Sequence, residues 1–192
     1  MKTYLMAATA LLALSGPALA QSWELNPDAS RLAYGSVKSD YIGEVNHFTG
    51  LTGTVSEDGS AVVEVDLSSV QTNVDTRNER MVEYVFQNTA NATISTDIDM
   101  DMVMALGVGE SAVMESDATL ALVGQEISLF TELFVTRLGE GSVMVTTNDM
   151  LFLAADEAGI DGAIDTLMEL AGLDSITRAV PVTLRFVFEE TM

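Results

Sequence analysis

Between residues 61 and 68 apolar and polar positions alternate, with Val63, Val65 and Leu67 on one side and Glu64, Asp66 and Ser68 on the other. A period of two predicts a strand with one buried face. Shorter or longer runs of the same kind recur along the chain. Residues 23–25 open the series and stop at Asn26-Pro27-Asp28. Residues 31–38 follow, then a long run over 44–56 interrupted by Gly50 and Gly53, which mark a bulge or a close backbone approach. Glu57-Asp58-Gly59 is a turn. Further strands are predicted over 92–104, 111–123, 126–137, 142–148 and 179–189. Gly124-Gln125 turns one hairpin and Gly139-Glu140-Gly141 makes another turn. In the last strand Val182, Leu184, Phe186 and Phe188 share a face.

Two stretches change period. Met81, Tyr84 and Val85 predict a helix over 75–86, with Asp75 or Thr76 as its N-cap. Ile160, Ile164, Leu167 and Ala171 recur at helical spacing, Asp161, Asp165 and Glu169 take the solvent side, and Gly172 follows as a C-terminal stop. Many short strands with one or two short helices predict an all-β domain. The strand over 126–137 is unusual. Ile127, Leu129, Leu133 and Val135 lie in one phase, and Phe130 and Phe134 in the other. A strand with one solvated face does not carry apolar residues on both sides. It fits a barrel with a greasy interior and a helix over its outer face, or a central strand buried on both sides without a cavity.

The 192 residues suit one domain. The start of the chain is set apart from it: Met1-Lys2, an apolar run over 4–14, the break Ser15-Gly16-Pro17, then Ala18-Leu19-Ala20. That is the pattern of a secretory signal over residues 1–20, cleaved after Ala20, leaving a domain over 21–192. The apolar run is too short for a membrane span and no later segment reaches that length, so the protein is not expected to be an integral membrane protein. Export points to the periplasm, with the extracellular space as the alternative. There is no cysteine, hence neither a disulfide nor a Cys-based metal site. Lys and Arg number 8 against 29 Asp and Glu. So acidic a surface repels phosphate backbones, which excludes nucleic acid as a partner, and it disfavours anionic membranes.

Catalytic and metal-binding patterns are scarce. His47 is the only histidine, and no G-x-S-x-G elbow exists. Asp97, Asp99 and Asp101 begin like a calcium loop, but Met102 stands where glycine is needed and Val108 where the bidentate acid belongs. Alternation would place these aspartates on an exposed strand face and Met100, Met102 and Met104 on the other. Three thioethers could hold Cu(I), and a buried apolar face accounts for them as well. Gly107-Val108-Gly109 followed by Ala112 lacks the βαβ setting of a nucleotide site. The expectation is a protein that is not an enzyme and has neither cofactor nor metal.

Several blocks in order resemble the YceI-like, polyisoprenoid-binding proteins of bacteria, over essentially the whole domain. Trp23-Glu24-Leu25-Asn26-Pro27-Asp28-Ala29-Ser30-Arg31-Leu32 is similar to the family's opening strand and turn. Gly43, Phe48 and Gly50 resemble its Gly-to-Phe-x-Gly stretch. Val65-Asp66-Leu67-Ser68-Ser69-Val70-Gln71-Thr72 looks like the strand ending in Ser-Ile-Asp-Thr, and Arg77-Asn78-Glu79-Arg80-Met81 like the Arg-Asp-x-His-Leu of its helix. Phe86 with residues 91–96, the Leu-Thr-x-x-Gly-like turn over 118–124, and residues 160–182 continue the match. Gln71, Asn78, Arg80 and Asn91 depart from the family's Asp, Asp, His and Pro.

The resemblance implies an elongated, eight-stranded, antiparallel, lipocalin-like barrel with an apolar tunnel. It implies binding, storage or transport of a long isoprenoid lipid, such as a polyprenyl phosphate or a quinone-like molecule. Such a barrel has room for one slender ligand, and each buried CH₂ contributes about 0.8 kcal/mol. On this reading Phe48, Val65, Leu67, Phe86, Leu129, Leu133, Leu184 and Phe186 form the wall. Arg77 and Arg80 are candidate head-group contacts, with surface ion pairing as their plainer role. The alternatives are an envelope interaction protein with a solid core, and a metal-binding or enzymatic protein. The oligomeric state is left open, a homodimer included.

Overall fold

The structure, a computed structural model, describes residues 22–191. The export signal expected over 1–20 lies outside the described residues. Twelve strand segments form one antiparallel sheet. They are β1 (Ser22–Leu25), β2 (Arg31–Lys38), β3 (Ile42–Phe48), β4 (Leu51–Val55), β5 (Ser60–Asp66), β6 (Val70–Gln71), β7 (Asn91–Asp97), β8 (Ser111–Leu122), β9 (Gln125–Gly139), β10 (Ser142–Thr147), β11 (Leu151–Ala154) and β12 (Ala179–Thr191). Four consecutive pairs, β1/β2, β3/β4, β5/β6 and β10/β11, are single strands with a break. Counted so, eight strands follow one another around a ring. β12 closes it, pairing with β1 and β2 on one side and with β10 and β11 on the other. Closure joins the sheet into a ring, in which β8 meets β7 over Thr119–Ala121 and β9 meets β10 over Leu133–Gly139.

Local chemistry explains the breaks. Asn26 Oδ1 accepts the backbone N–H groups of Asp28 (3.1 Å) and Ala29 (3.2 Å), turning the chain between β1 and β2. Between β3 and β4 the backbone of Gly50 passes so close to the next strand that a Cβ there would lie 2.8 Å from Asp66 Cβ. Its N–H donates to Ser69 Oγ at 2.8 Å. β5 gives way to β6 through a 3₁₀ turn, Leu67–Ser69, capped by Asp66, whose carboxylate accepts from Ser68 N at 2.9 Å.

Three short helices sit at the ends of the ring. α1 (Asp75–Arg80) runs on into a wider π turn over Met81–Val85. The expected cap at Asp75 or Thr76 is displaced: Val74 holds that position and makes no side-chain cap bond. α2 (Met100–Ala105) stands where the strand over 92–104 was expected to continue. β7 ends at Asp97, and Asp99 caps α2 by accepting from Met102 N at 3.0 Å. A helix spreads alternate residues around its axis, so the three methionines do not share a face. Met100 packs on the core, while Met102 and Met104 are exposed. α3 (Asp161–Ala171) matches its predicted period and ends at Gly172 in the left-handed region.

The hairpin between β8 and β9 turns at Val123-Gly124, one residue earlier than expected, with φ of +47° and +78°. Two consecutive positive φ values are the geometry of a tight type I′ turn. β11 was not foreseen. The helix expected over the outer face of β9 is absent among the described residues: Phe130 is 68% exposed, and Phe134, opposite Val113, is exposed too. The helices close the ends of the barrel rather than its flank, which leaves this outer face to solvent.

Candidate functional site

The inward side chains do not fill the barrel. They enclose a cavity of about 600 Å³, within the ~300–1,000 Å³ common for small-molecule sites. Trp23, Val55, Ala61, Val143 and Phe188 line one end, which Ile98, Met100 and Val103 of the α2 region cover. The middle is walled by valine, leucine and alanine from β5, β7, β8, β9 and β12. At the other end lie Arg77, Arg80 and Met81 of the α1 segment, Leu151 to Leu153 of β11, and Ile164, Leu167 and Ala171 of α3. The lining residues that are exposed, Val74, Thr76, Phe152 and Ala171, all belong to this second end. The cavity is therefore a tube closed by α2 and open between α1, β11 and α3.

Of the residues expected to form the wall, Phe48, Val65, Leu67, Leu129, Leu133, Leu184 and Phe186 line the cavity. Phe86 does not. It is buried in the core, its ring 5.8 Å from that of Phe48, but it does not reach the cavity surface. Arg77 and Arg80 both reach the lining near the mouth. Arg77 donates to Glu44 Oε2 at 2.7 Å, so the ion pair expected as its plainer role is present. Arg80 donates to the carbonyl of Leu170, at 3.4 Å. His47 lies outside the lining, beside Ala33 and Gln71 in the sheet. Burial and the charge of Arg31 hold its pKa below the ordinary histidine value.

Inward positions of β2 and β3 carry a feature the alternation rule did not single out. Three opposed pairs climb toward the mouth: Leu32 with Phe48, Tyr34 with Asn46, Ser36 with Glu44. All six line the cavity, as does Lys38. The wall thus turns from apolar to polar and then to charged along one stripe. Read alone, a polar residue in a strand is assigned to solvent, which is why the stripe was missed. The available signal was Leu32 and Phe48, whose phase fixes the side on which Tyr34 and Asn46 must fall.

The stripe is tied to α1. Glu44 accepts from Lys38 at 2.9 Å and from Arg77 at 2.7 Å. Burial works to raise the pKa of Glu44, but these hydrogen bonds and the two positive charges outweigh it and hold the carboxyl below its usual range. Arg77 also donates to the carbonyl of Thr72. Burial pushes the Tyr34 phenol well above its ordinary pKa against the pull of the Arg77 charge, so it stays protonated at neutral pH and keeps a proton to donate. Three buried donor atoms have no hydrogen-bond partner among the described residues: Tyr34 Oη, Arg77 Nε and, at the closed end, Trp23 Nε1.

No family model matches the chain, and no curated protein does. Solved structures do. A polyisoprenoid binding domain from Saccharophagus degradans implicated in plant cell wall breakdown is 34% identical, with 88% of this chain and 98% of that one covered and a TM-score of 0.86. BcnA of Burkholderia cenocepacia is 12% identical over 85% of this chain and 98% of its own, with a TM-score of 0.63, a likeness of fold. One third identity over nearly the whole of the first domain places the chain in a family: it belongs to the YceI-like polyisoprenoid-binding proteins.

Proposed function

We propose that the protein binds a long isoprenoid lipid, holding the tail in the barrel to store or move it, and performs this task without catalysis. The observation that carries this reading is the continuous apolar tube of about 600 Å³, closed at one end and open at the other. A flexible hydrocarbon chain is held there by burial alone, at about 0.8 kcal/mol for each CH₂ removed from water. The Saccharophagus degradans domain, which binds polyisoprenoid, supports the choice of lipid. The proposed place of action is the periplasm, reached through the signal over residues 1–20.

The rival reading, an interaction protein with a solid core, requires side chains that plug the barrel, and the cavity is not plugged. The test is purification from the native host, organic extraction and mass spectrometry. A prenyl lipid at near-stoichiometric amount is expected. An extract free of prenyl lipid, from protein that also fails to take up an added isoprenoid, would refute the proposal.

A further inference from the structure

Inside the tube most inward hydroxyl groups are already spoken for. Thr96 Oγ1 and Ser116 Oγ bond each other at 2.9 Å. Thr72 Oγ1 is held by Asn78 Oδ1 at 2.6 Å. Tyr34 Oη and Arg77 Nε are different: both are buried, both belong to lining residues, and neither has a partner among the described residues. Asn46, directly across from Tyr34 in the sheet and only 4% exposed, puts a carboxamide at the same level of the wall. A buried donor without a partner costs about 1–3 kcal/mol, so two such atoms beside one cavity point to an occupant that completes them.

We infer that Tyr34, Asn46 and Arg77 form a station inside the tube for the polar head of the lipid, and that it recognises a hydrogen-bond-accepting oxygen. The inference rests on the carrier reading above and adds which end of the ligand is recognised, by which atoms and where. Both orphaned atoms, Oη–H and Nε–H, donate, so the group that satisfies them must accept. Two head groups supply such an oxygen: the carbonyl of a ring and the phosphoryl oxygen of a phosphate. Lys38, Arg77 and Arg80 bring three positive charges to this part of the lining against one carboxylate, Glu44. The rest of the wall below Tyr34 and Asn46 toward α2 is mainly apolar and suits the tail.

The experiment compares three probes of equal tail length: an isoprenoid hydrocarbon without oxygen, a prenylated benzoquinone and a prenyl phosphate. Each is titrated into delipidated wild-type protein, Tyr34→Phe and Asn46→Leu. Wild type is expected to hold at least one oxygen-bearing probe more tightly than the hydrocarbon. Tyr34→Phe, which removes one oxygen and keeps the ring, should weaken that probe about five- to tenfold and leave the hydrocarbon unchanged. Asn46→Leu should act in the same direction. The arm that responds identifies the oxygen as carbonyl or phosphoryl. If wild type binds all three alike, or the variants weaken hydrocarbon and head-bearing probes equally, the station is refuted and the carrier reading stands. If wild type binds none of the three, the carrier reading itself falls and the station with it.

Discussion

Asn78 closes on Thr72: its Oδ1 accepts both the backbone N–H of Thr72, at 2.8 Å, and the Thr72 hydroxyl, at 2.6 Å. This clip joins the end of β6 to α1, whose N-cap residue Val74 makes no side-chain bond. It also fixes the carbonyl of Thr72, to which Arg77 donates. Asn78→Ala is therefore expected to lower stability by about 1–3 kcal/mol, because the buried N–H of Thr72 loses its acceptor and the hydroxyl keeps only the Val74 carbonyl, at 3.2 Å. Asn78→Asp keeps the acceptor and should stay close to wild type. Urea denaturation of the two variants checks both.

Ala118 and Ala92 are small inward residues in the middle of the tube, both buried. Ala118→Phe should fill the passage with a ring, abolish retention of added isoprenoid and leave Tm unchanged or higher. In a packed core the same change would overpack and cost about 1–3 kcal/mol. The paired readout is lipid in the organic extract and Tm by scanning calorimetry.

Gly59 sits at φ +90° in the turn between β4 and β5, and a Cβ there would lie 2.1 Å from the carbonyl oxygen of Ile98. That carbonyl belongs to backbone and cannot swing aside. Gly59→Ala should cost about 2–3 kcal/mol, roughly 5–10 °C in Tm. Thermal unfolding followed by circular dichroism measures it.

The pH dependence of the Lys38–Glu44–Arg77 group has a definite sign. The carboxyl of Glu44 has a lower pKa folded than unfolded, so its contribution is present above the ordinary carboxylate value and is lost as pH falls through the folded one. Glu44→Gln should be less stable than wild type near neutrality, and the gap should narrow as pH falls from the ordinary carboxylate value through the lower folded one. Chemical denaturation of both proteins at each pH gives the difference. A constant gap would show that Glu44 acts by packing rather than by charge.

Net charge at pH 7 is −21, and the ion pairs formed among the described residues engage three cations, Lys38, Arg77 and Arg178. Acidic groups therefore far outnumber the cations that could offset them, 29 against 8. Raising sodium chloride from 0.1 to 1 M shortens the screening length from about 10 to about 3 Å, so Tm should rise. A flat response would mean that the carboxylates lie too far apart to repel.

Strands announced themselves where burial and alternation agree. β2 falls on the predicted residues, and β5 turns Ala61, Val63 and Val65 inward as its pattern requires. The reading failed where one pattern serves two structures. Residues 97–104 alternate Asp or Val with Ile or Met, yet Asp99 can also cap a helix, and here it does. The wall of the tube was legible for the same reason as the strands, because apolar residues in one phase must face inward. The polar stripe was not, because Tyr34, Asn46 and Glu44 obey the phase and contradict the polarity that phase normally carries. Phe86 misses the cavity surface because it follows the π turn rather than sitting on a strand, and its ring packs against Phe48 instead of forming wall itself.

α2 shuts one end of the barrel, and that has a consequence for traffic. A tube with a single door admits a molecule only lengthwise and releases it by the same route, last part in, first part out. A passenger that enters by its hydrocarbon tip travels with its polar end nearest the threshold, where an acceptor membrane or protein meets it first. Handover then needs no turning of the cargo and no unfolding of the barrel, only a recipient that grips the polar end more firmly than the doorway does.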